Sequence, residues 1–125
     1  MQAKELIRRY RAGERDFILL SLRKSDLRGA DLYNVNFSGS DLSEADLSEA
    51  NLVGARLRRV DLRQANLNGS ELGGANLSKA DLRGADLREA NLSYANLKGA
   101  RVAPEQLASA ATLVGAILPD GAVQE

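Results

Sequence analysis

A large apolar residue returns at every fifth position along most of the chain: Leu22, Leu27, Leu32, Phe37, Leu42, Leu47, Leu52, Leu57, Leu62, Leu67, Leu72, Leu77, Leu82, Leu87, Leu92, Leu97 and Val102. Phe17 falls in the same phase and starts the series. Two places before each of these stands, in most units, an alanine or another small residue, and immediately before it most often an aspartate or asparagine. A helix advances about 100° per residue, so leucines five apart would spiral around every side of it. A straight strand alternates its faces, so an odd repeat would throw successive leucines to opposite sides. The pattern therefore predicts a chain that bends once per unit. The leucine and the small residue point inward on a short extended stretch, and the remaining residues turn a corner. Repeated corners close into coils, and stacked coils bury columns of like side chains, the arrangement of a solenoid.

The unit A(D/N)LXX identifies a likeness to a known family. The strict triplet ends at Leu32, Leu47, Leu52, Leu67, Leu77, Leu82, Leu87, Leu92 and Leu97, and looser copies such as SDL, VNF, ARL and SEL fill the gaps. This array resembles the pentapeptide-repeat family. The resemblance implies an all-β fold, a right-handed quadrilateral parallel β-helix with four units, hence twenty residues, per coil. It implies about five coils here, with a coil spacing of roughly 4.8 Å, the distance between paired strands.

The ends break the period. Ala3, Leu6, Ile7 and Tyr10 follow helical spacing before Gly13, which predicts an N-terminal helical cap over residues 1–13. The alternative for this segment is an amphipathic membrane anchor carrying Lys4, Arg8, Arg9 and Arg11. The solenoid spans residues 14–102. The run Ala103-Pro104-Glu105-Gln106-Leu107 predicts a helix or loop insertion over 103–112, with proline tolerated in a first helical turn. Such an insertion is familiar in the family, so Leu113 and Leu118 are expected to re-enter the core in a final partial coil over 113–121. Pro119-Asp120-Gly121 is a turn signal, and 122–125 is expected to be a mobile tail.

Composition narrows the chemistry. The chain has 125 residues, with 17 basic and 17 acidic side chains, and neither histidine nor cysteine. Disulfides and thiolate chemistry are excluded, and the commonest general base and metal ligand is missing, so no enzyme, cofactor or metal is expected. Stacked carboxylates such as Asp61 and Asp81 could share a cation, but an Asp or Asn before each leucine is better explained by a hydrogen bond to the backbone at a turn. Gly29, Gly39, Gly54, Gly69, Gly84 and Gly99 occupy one corner position and do not form a phosphate loop. No apolar stretch reaches the roughly 20 residues of a membrane span, and the start of the chain lacks a signal-peptide core, so the expected compartment is the cytoplasm.

Twenty residues per coil assign each outward side chain to one of four walls. The wall on Phe37, Leu57, Leu77 and Leu97 carries Arg56, Arg58, Arg59, Lys79 and Lys98 and no acid at the positions flanking those residues. The opposite wall, on Leu27, Leu47, Leu67 and Leu87, is net acidic, with Asp26, Asp46, Glu49, Asp86 and Glu89 against Arg28 and Arg88. Between them, the wall on Leu32, Leu52, Leu72 and Leu92 bears Tyr33, Val53 and Tyr94 with few charges. The basic wall and the tyrosine strip are the candidate partner contacts. Arg56, Arg58 and Arg59 come first, because Arg56 replaces the usual Asp or Asn.

The function expected is that of a non-catalytic interaction module presenting an outer wall to a protein partner. The resemblance supplies one alternative, since some pentapeptide-repeat proteins bind DNA gyrase or topoisomerase IV as acidic mimics of DNA and protect it from quinolones. A second alternative is weak binding of an anionic surface, nucleic acid or lipid, by the basic wall, although the interleaved aromatics of a nucleic-acid platform are missing there. Ice binding would need threonine ladders, and Thr112 is the only threonine. A monomer is favoured over an end-to-end dimer, because the N-terminal helix covers one edge.

Overall fold

A computed structural model describes Met1–Glu125. Helix α1 runs Ala3–Arg11 and helix α2 runs Pro104–Ala108. Between them, parallel bridges join residues twenty apart in an unbroken series, from Asp16–Asn36 through Asp41–Asp61 and Asn51–Glu71 to Asp81–Arg101. One coil is therefore twenty residues, and four leucine columns line its interior.

Every unit solves the same backbone problem, and the unit around Leu62 shows how. The Leu62 amide donates to the carbonyl of Asp81 one coil on (2.8 Å), and the Asp61 amide donates to the carbonyl of Ser40 one coil back (3.0 Å). The Gln64 amide reaches the carbonyl of Arg83 (3.0 Å), and the Ala65 amide closes a β-turn onto the carbonyl of Leu62 (3.1 Å). That leaves the amide of Arg63, which no carbonyl can reach, and the Asp61 carboxylate accepts it (3.1 Å). A complete accounting of donors thus explains the Asp or Asn before the leucine: its side chain receives the one amide the coil cannot satisfy. The same bond recurs at Asn36, Asp41, Asn51, Asn66, Asn76, Asp86, Asn91 and Asn96.

The turn itself needs a left-handed residue two places after the leucine, the requirement of a type II turn. Glycine meets it without strain at Gly39 (φ 70°), but ten residues with side chains adopt it as well, among them Arg59 (φ 57°) and Leu19 (φ 55°). Leu19 is the only aliphatic one of these, and such a placement costs an L-residue on the order of 1–3 kcal/mol.

Inside, the leucine and small columns, together with Leu6 and Tyr10 of α1, form one cluster of 31 buried residues, with Leu62, Leu67, Leu72 and Leu77 at 0 % exposure. Each fully buried leucine contributes about 1.5–3 kcal/mol. Alanine in the second column keeps the axis narrow enough for the leucines to fill it. Val102 is an exception to the buried series: at the last coil it is only half-buried, because the chain leaves the period there and no complete coil covers it.

Helix α1 packs across the first coil and buries Leu6 and Tyr10. The Tyr10 hydroxyl donates to the carbonyl of Tyr33 (2.7 Å), the Arg15 guanidinium lies 3.8 Å from the centre of the Tyr10 ring, and the Met1 amine reaches the carbonyl of Ser21 (3.3 Å). Leu6 and Tyr10 of the helix's apolar stripe are thus spent on the solenoid rather than displayed to a membrane. At the other end, α2 is a bulge beside the stack. The Gln106 side chain donates to the carbonyls of Leu82 (2.7 Å) and Ala85 (2.9 Å) and accepts from the Ala103 amide (2.8 Å), filling the edge where a coil would have continued. The period then resumes one residue out of phase, with bridges Asn91–Thr112 and Asn96–Ile117. Leu113 packs against the core partly buried, and Leu118 is half-buried.

The tail differs from the mobile segment the sequence suggested. Val123 pairs antiparallel with Ile117, the Gln124 amide donates to the carbonyl of Ala116 (2.8 Å), and the Gly115 amide donates back to Gln124 (2.7 Å). The turn at Pro119–Gly121 folds the last residues onto the exposed edge of the final coil, a common protection of a strand that would otherwise offer unpaired groups.

Candidate functional site

The two positions after each leucine lie on the outside of the coil and, apart from the buried Ser43 and Ser78, are open to solvent, so their side chains are the walls. On the wall of the Leu22 column, Arg63 is held by a two-point contact with Asp61 (2.9 and 2.8 Å), and Arg83 by one with Asp81 (2.9 and 2.6 Å). Arg23 pairs with Glu44 across one coil. On the acidic wall, Arg28 pairs with Asp26 (2.9 Å) and leans towards Asp46 (3.8 Å), while Arg88 pairs with Asp86 (2.7 Å). Each arginine beside its aspartate holds that carboxyl below the usual carboxylate range, chiefly through the side-chain hydrogen bond, at Asp26, Asp61, Asp81 and Asp86.

The basic wall is built differently. Arg56, Arg58, Arg59, Lys79 and Lys98 are all exposed, and none takes part in an ion pair. The reason is local. Arg58 follows Arg56, and Lys98 follows Asn96, so the residue that supplies the carboxylate elsewhere is itself cationic or neutral here. Arg56 has a second cost, since it cannot accept the Arg58 amide as Asp61 accepts that of Arg63. Glu71 also departs from the repeat, but its carboxylate is taken by the Asn91 side chain (2.9 Å). The Arg58 guanidinium donates to the Ser78 hydroxyl one coil on (3.3 Å), which steadies it without neutralising it.

At its two ends the basic wall also carries two acids. Asp16 stands at the start of the column, where the Asn36 side chain donates to it (3.1 Å), and Asp120 stands at the end in the resumed period. They border the cationic belt and do not enter it. The wall also begins with two exposed apolar side chains, Ile18 at 45 % and Leu19 at 77 % exposure. Between them and the arginines the corner carries only Ser38 and Gly39, leaving a notch of about 280 Å³ lined by Ile18, Leu19, Ser38, Gly39, Arg58 and Arg59. The sequence reading of this wall began at Phe37 and so missed Ile18 and Leu19. Extending the twenty-residue register back to Phe17 places them on it.

The tyrosine strip does not come together as one site. Tyr33 lies in the first coil beside α1, and Tyr94 lies three coils on, roughly 14 Å along the axis. The Tyr94 ring occupies the space above Gly115, 2.3 Å from where a β-carbon there would stand, so it packs on the final coil. Val53 is half-buried between them. The Leu22-column wall, which sequence reasoning passed over, carries the arginine ladder of Arg23, Arg63 and Arg83, and its signal was the recurrence of arginine after leucine at multiples of twenty. No helix is long and apolar enough to cross a membrane.

The family model for pentapeptide repeats matches eight copies over residues 16–48, 25–64, 40–78 and 65–102. A crystal structure of a pentapeptide repeat protein from the cyanobacterium Cyanothece 51142 is 37 % identical, with a TM-score of 0.70, over 71 % of this chain and 60 % of that one. A pentapeptide repeat protein from Nostoc Pcc 7120 is 47 % identical, with a TM-score of 0.65, over 79 % of this chain and 78 % of that one. One from the Arabidopsis thaliana thylakoid lumen is 32 % identical, with a TM-score of 0.55, over 79 % and 72 % of the two chains. No curated protein matches the chain. The repeat register, the twenty-residue bridges and these likenesses agree that the chain belongs to the pentapeptide-repeat family, with the right-handed quadrilateral β-helix that membership implies.

Proposed function

We propose that this chain is a non-catalytic interaction module: a rod of about five coils, capped by α1 and by the C-terminal hairpin, that presents its basic wall to a protein partner as a monomer. The observation that carries the reading is the contrast in charge pairing. Arg23, Arg28, Arg63, Arg83 and Arg88 on two other walls are paired with carboxylates within their own unit or one coil away, with Lys24 and Arg101 the unpaired cations there, while all five cations of this wall are left unpaired. An uncompensated belt on a rigid surface supports steering and orienting an oppositely charged partner. Arg56 adds weight, because it occupies a position where Asp or Asn would serve the backbone better.

The acidic-mimic alternative gains no support from the opposite wall, where Asp26, Asp46 and Asp86 lie against arginines and only Glu49 and Glu89 are left without one. Affinity capture with the wild type and with Arg56→Glu/Arg58→Glu/Arg59→Glu tests the reading. A protein retained by the first and lost by the second is the expected result. Equal retention by both would overturn the choice of wall, and retention of nothing but nucleic acid would overturn the module.

A further inference from the structure

The basic wall is not uniformly charged, and its one irregularity carries chemical information. Two coils apart, roughly 10 Å, stand an apolar pair, Ile18 and Leu19, and a cationic pair, Arg58 and Arg59. The coil between them contributes only Ser38 and Gly39, so the surface dips. Leu19 is 77 % exposed and held at φ 55°, an aliphatic residue at a corner where glycine or asparagine would be relaxed and soluble. Its side chain leans over the dip, with Cδ2 2.7 Å from where a β-carbon on Gly39 would stand.

We propose that this notch is the docking site of an acidic peptide segment carrying one large apolar side chain. That side chain would sit between Leu19 and the aliphatic stems of Arg58 and Arg59, while its acidic neighbours reach the guanidinium groups, Lys79 and Lys98. The charge of the belt selects an acidic partner, and the apolar lip selects a peptide, because a phosphate backbone would gain nothing from covering Ile18 and Leu19. Arginine stems bury apolar surface while their heads stay hydrated and available. This inference rests on the interaction-module reading and narrows it to one partner chemistry and one place.

The test is a titration of the full chain, followed by amide chemical shifts, with a short peptide of glutamates around a central phenylalanine. Shifts are expected at residues 18, 19, 38, 39, 58 and 59. Ser38→Tyr leaves every charge in place but fills the notch, and Tyr33 already occupies the same position of its unit, so folding is expected to persist. It should weaken binding by about tenfold, as should glycine in place of the peptide's phenylalanine, and Arg58→Glu/Arg59→Glu should weaken it by more than about tenfold. Leu19→Asn, which suits the left-handed corner, should weaken binding severalfold and supplies a second variant that leaves the charges untouched. Binding indifferent both to Ser38→Tyr and to loss of the phenylalanine would overturn the proposal. So would shifts centred on another wall, or single-stranded DNA displacing the peptide with equal affinity for wild type and Ser38→Tyr. A natural partner captured equally by wild type and Ser38→Tyr would refute this notch while leaving the interaction-module reading standing.

Discussion

Arg63 and Arg58 occupy the same position of the same repeat, one place after a buried leucine, yet one is neutralised and the other is not. The difference lies two residues earlier. Asp61 offers its carboxylate both to the Arg63 amide and to the Arg63 guanidinium, whereas Arg56 offers neither to Arg58. The comparison gives a local rule for this solenoid. An Asp-Leu-Arg unit presents a closed ion pair, and an Arg-Leu-Arg or Asn-Leu-Lys unit presents a free cation, without any change in the coil beneath. Wall charge can therefore vary at little cost to the core.

The sharpest way to break the comparison is to attack what both walls share. Leu67→Lys should abolish the cooperative unfolding transition followed by circular dichroism, since a charge would enter a column with neither water nor a partner. Ala65→Phe should cost about 1–3 kcal/mol or more by overpacking the narrow axis, read as a lower urea midpoint. A wild-type midpoint in either variant would contradict the inward-facing columns.

Arg56→Asp would convert the basic wall locally to the rule of the other. It should stabilise by about 0.5–1.5 kcal/mol through a new acceptor for the Arg58 amide, and should weaken salt-dependent retention on a cation-exchange resin. Leu19→Asn should raise stability by up to about 1 kcal/mol by relaxing a left-handed leucine, an outcome measurable as a higher melting temperature.

The smallest effect is on pH. The Asp61, Asp81 and Asp86 carboxyls are depressed in the folded chain by their arginines. The stability they contribute is present above the ordinary carboxylate value of about 3.9 and is lost as pH falls through the depressed value. Because these pairs are exposed, each should contribute less than about 1 kcal/mol, and high salt should flatten the acid limb of the stability curve. An acid limb unchanged by Arg63→Met would show that the pairs contribute nothing.

Much of this was legible before any coordinates. Leu22 to Leu97 are buried as their period demands, and the expectation that Asp and Asn serve the backbone is met bond by bond. Other features were not. Val102 looks like any other column residue but loses cover because the chain breaks register after it. The tail from Ala122 looks unstructured, yet it pairs with Ile117 because the turn at Pro119–Gly121 aims it at a vacant edge. Tyr33 and Tyr94 share a wall by register but stand three coils apart, each exposed near a different end.

The sequence alone determined the inward columns, the corner chemistry and the placing of Arg28, Arg63, Arg83 and Arg88 beside an aspartate of their own unit, because these depend on residues within about five positions of one another. The notch between Leu19 and Arg58 and the pairing of the C-terminal tail over the last coil were decided only by the tertiary structure. They join residues that meet because coils stack, and stacking distance is set by hydrogen bonds between coils rather than by any local preference of the chain.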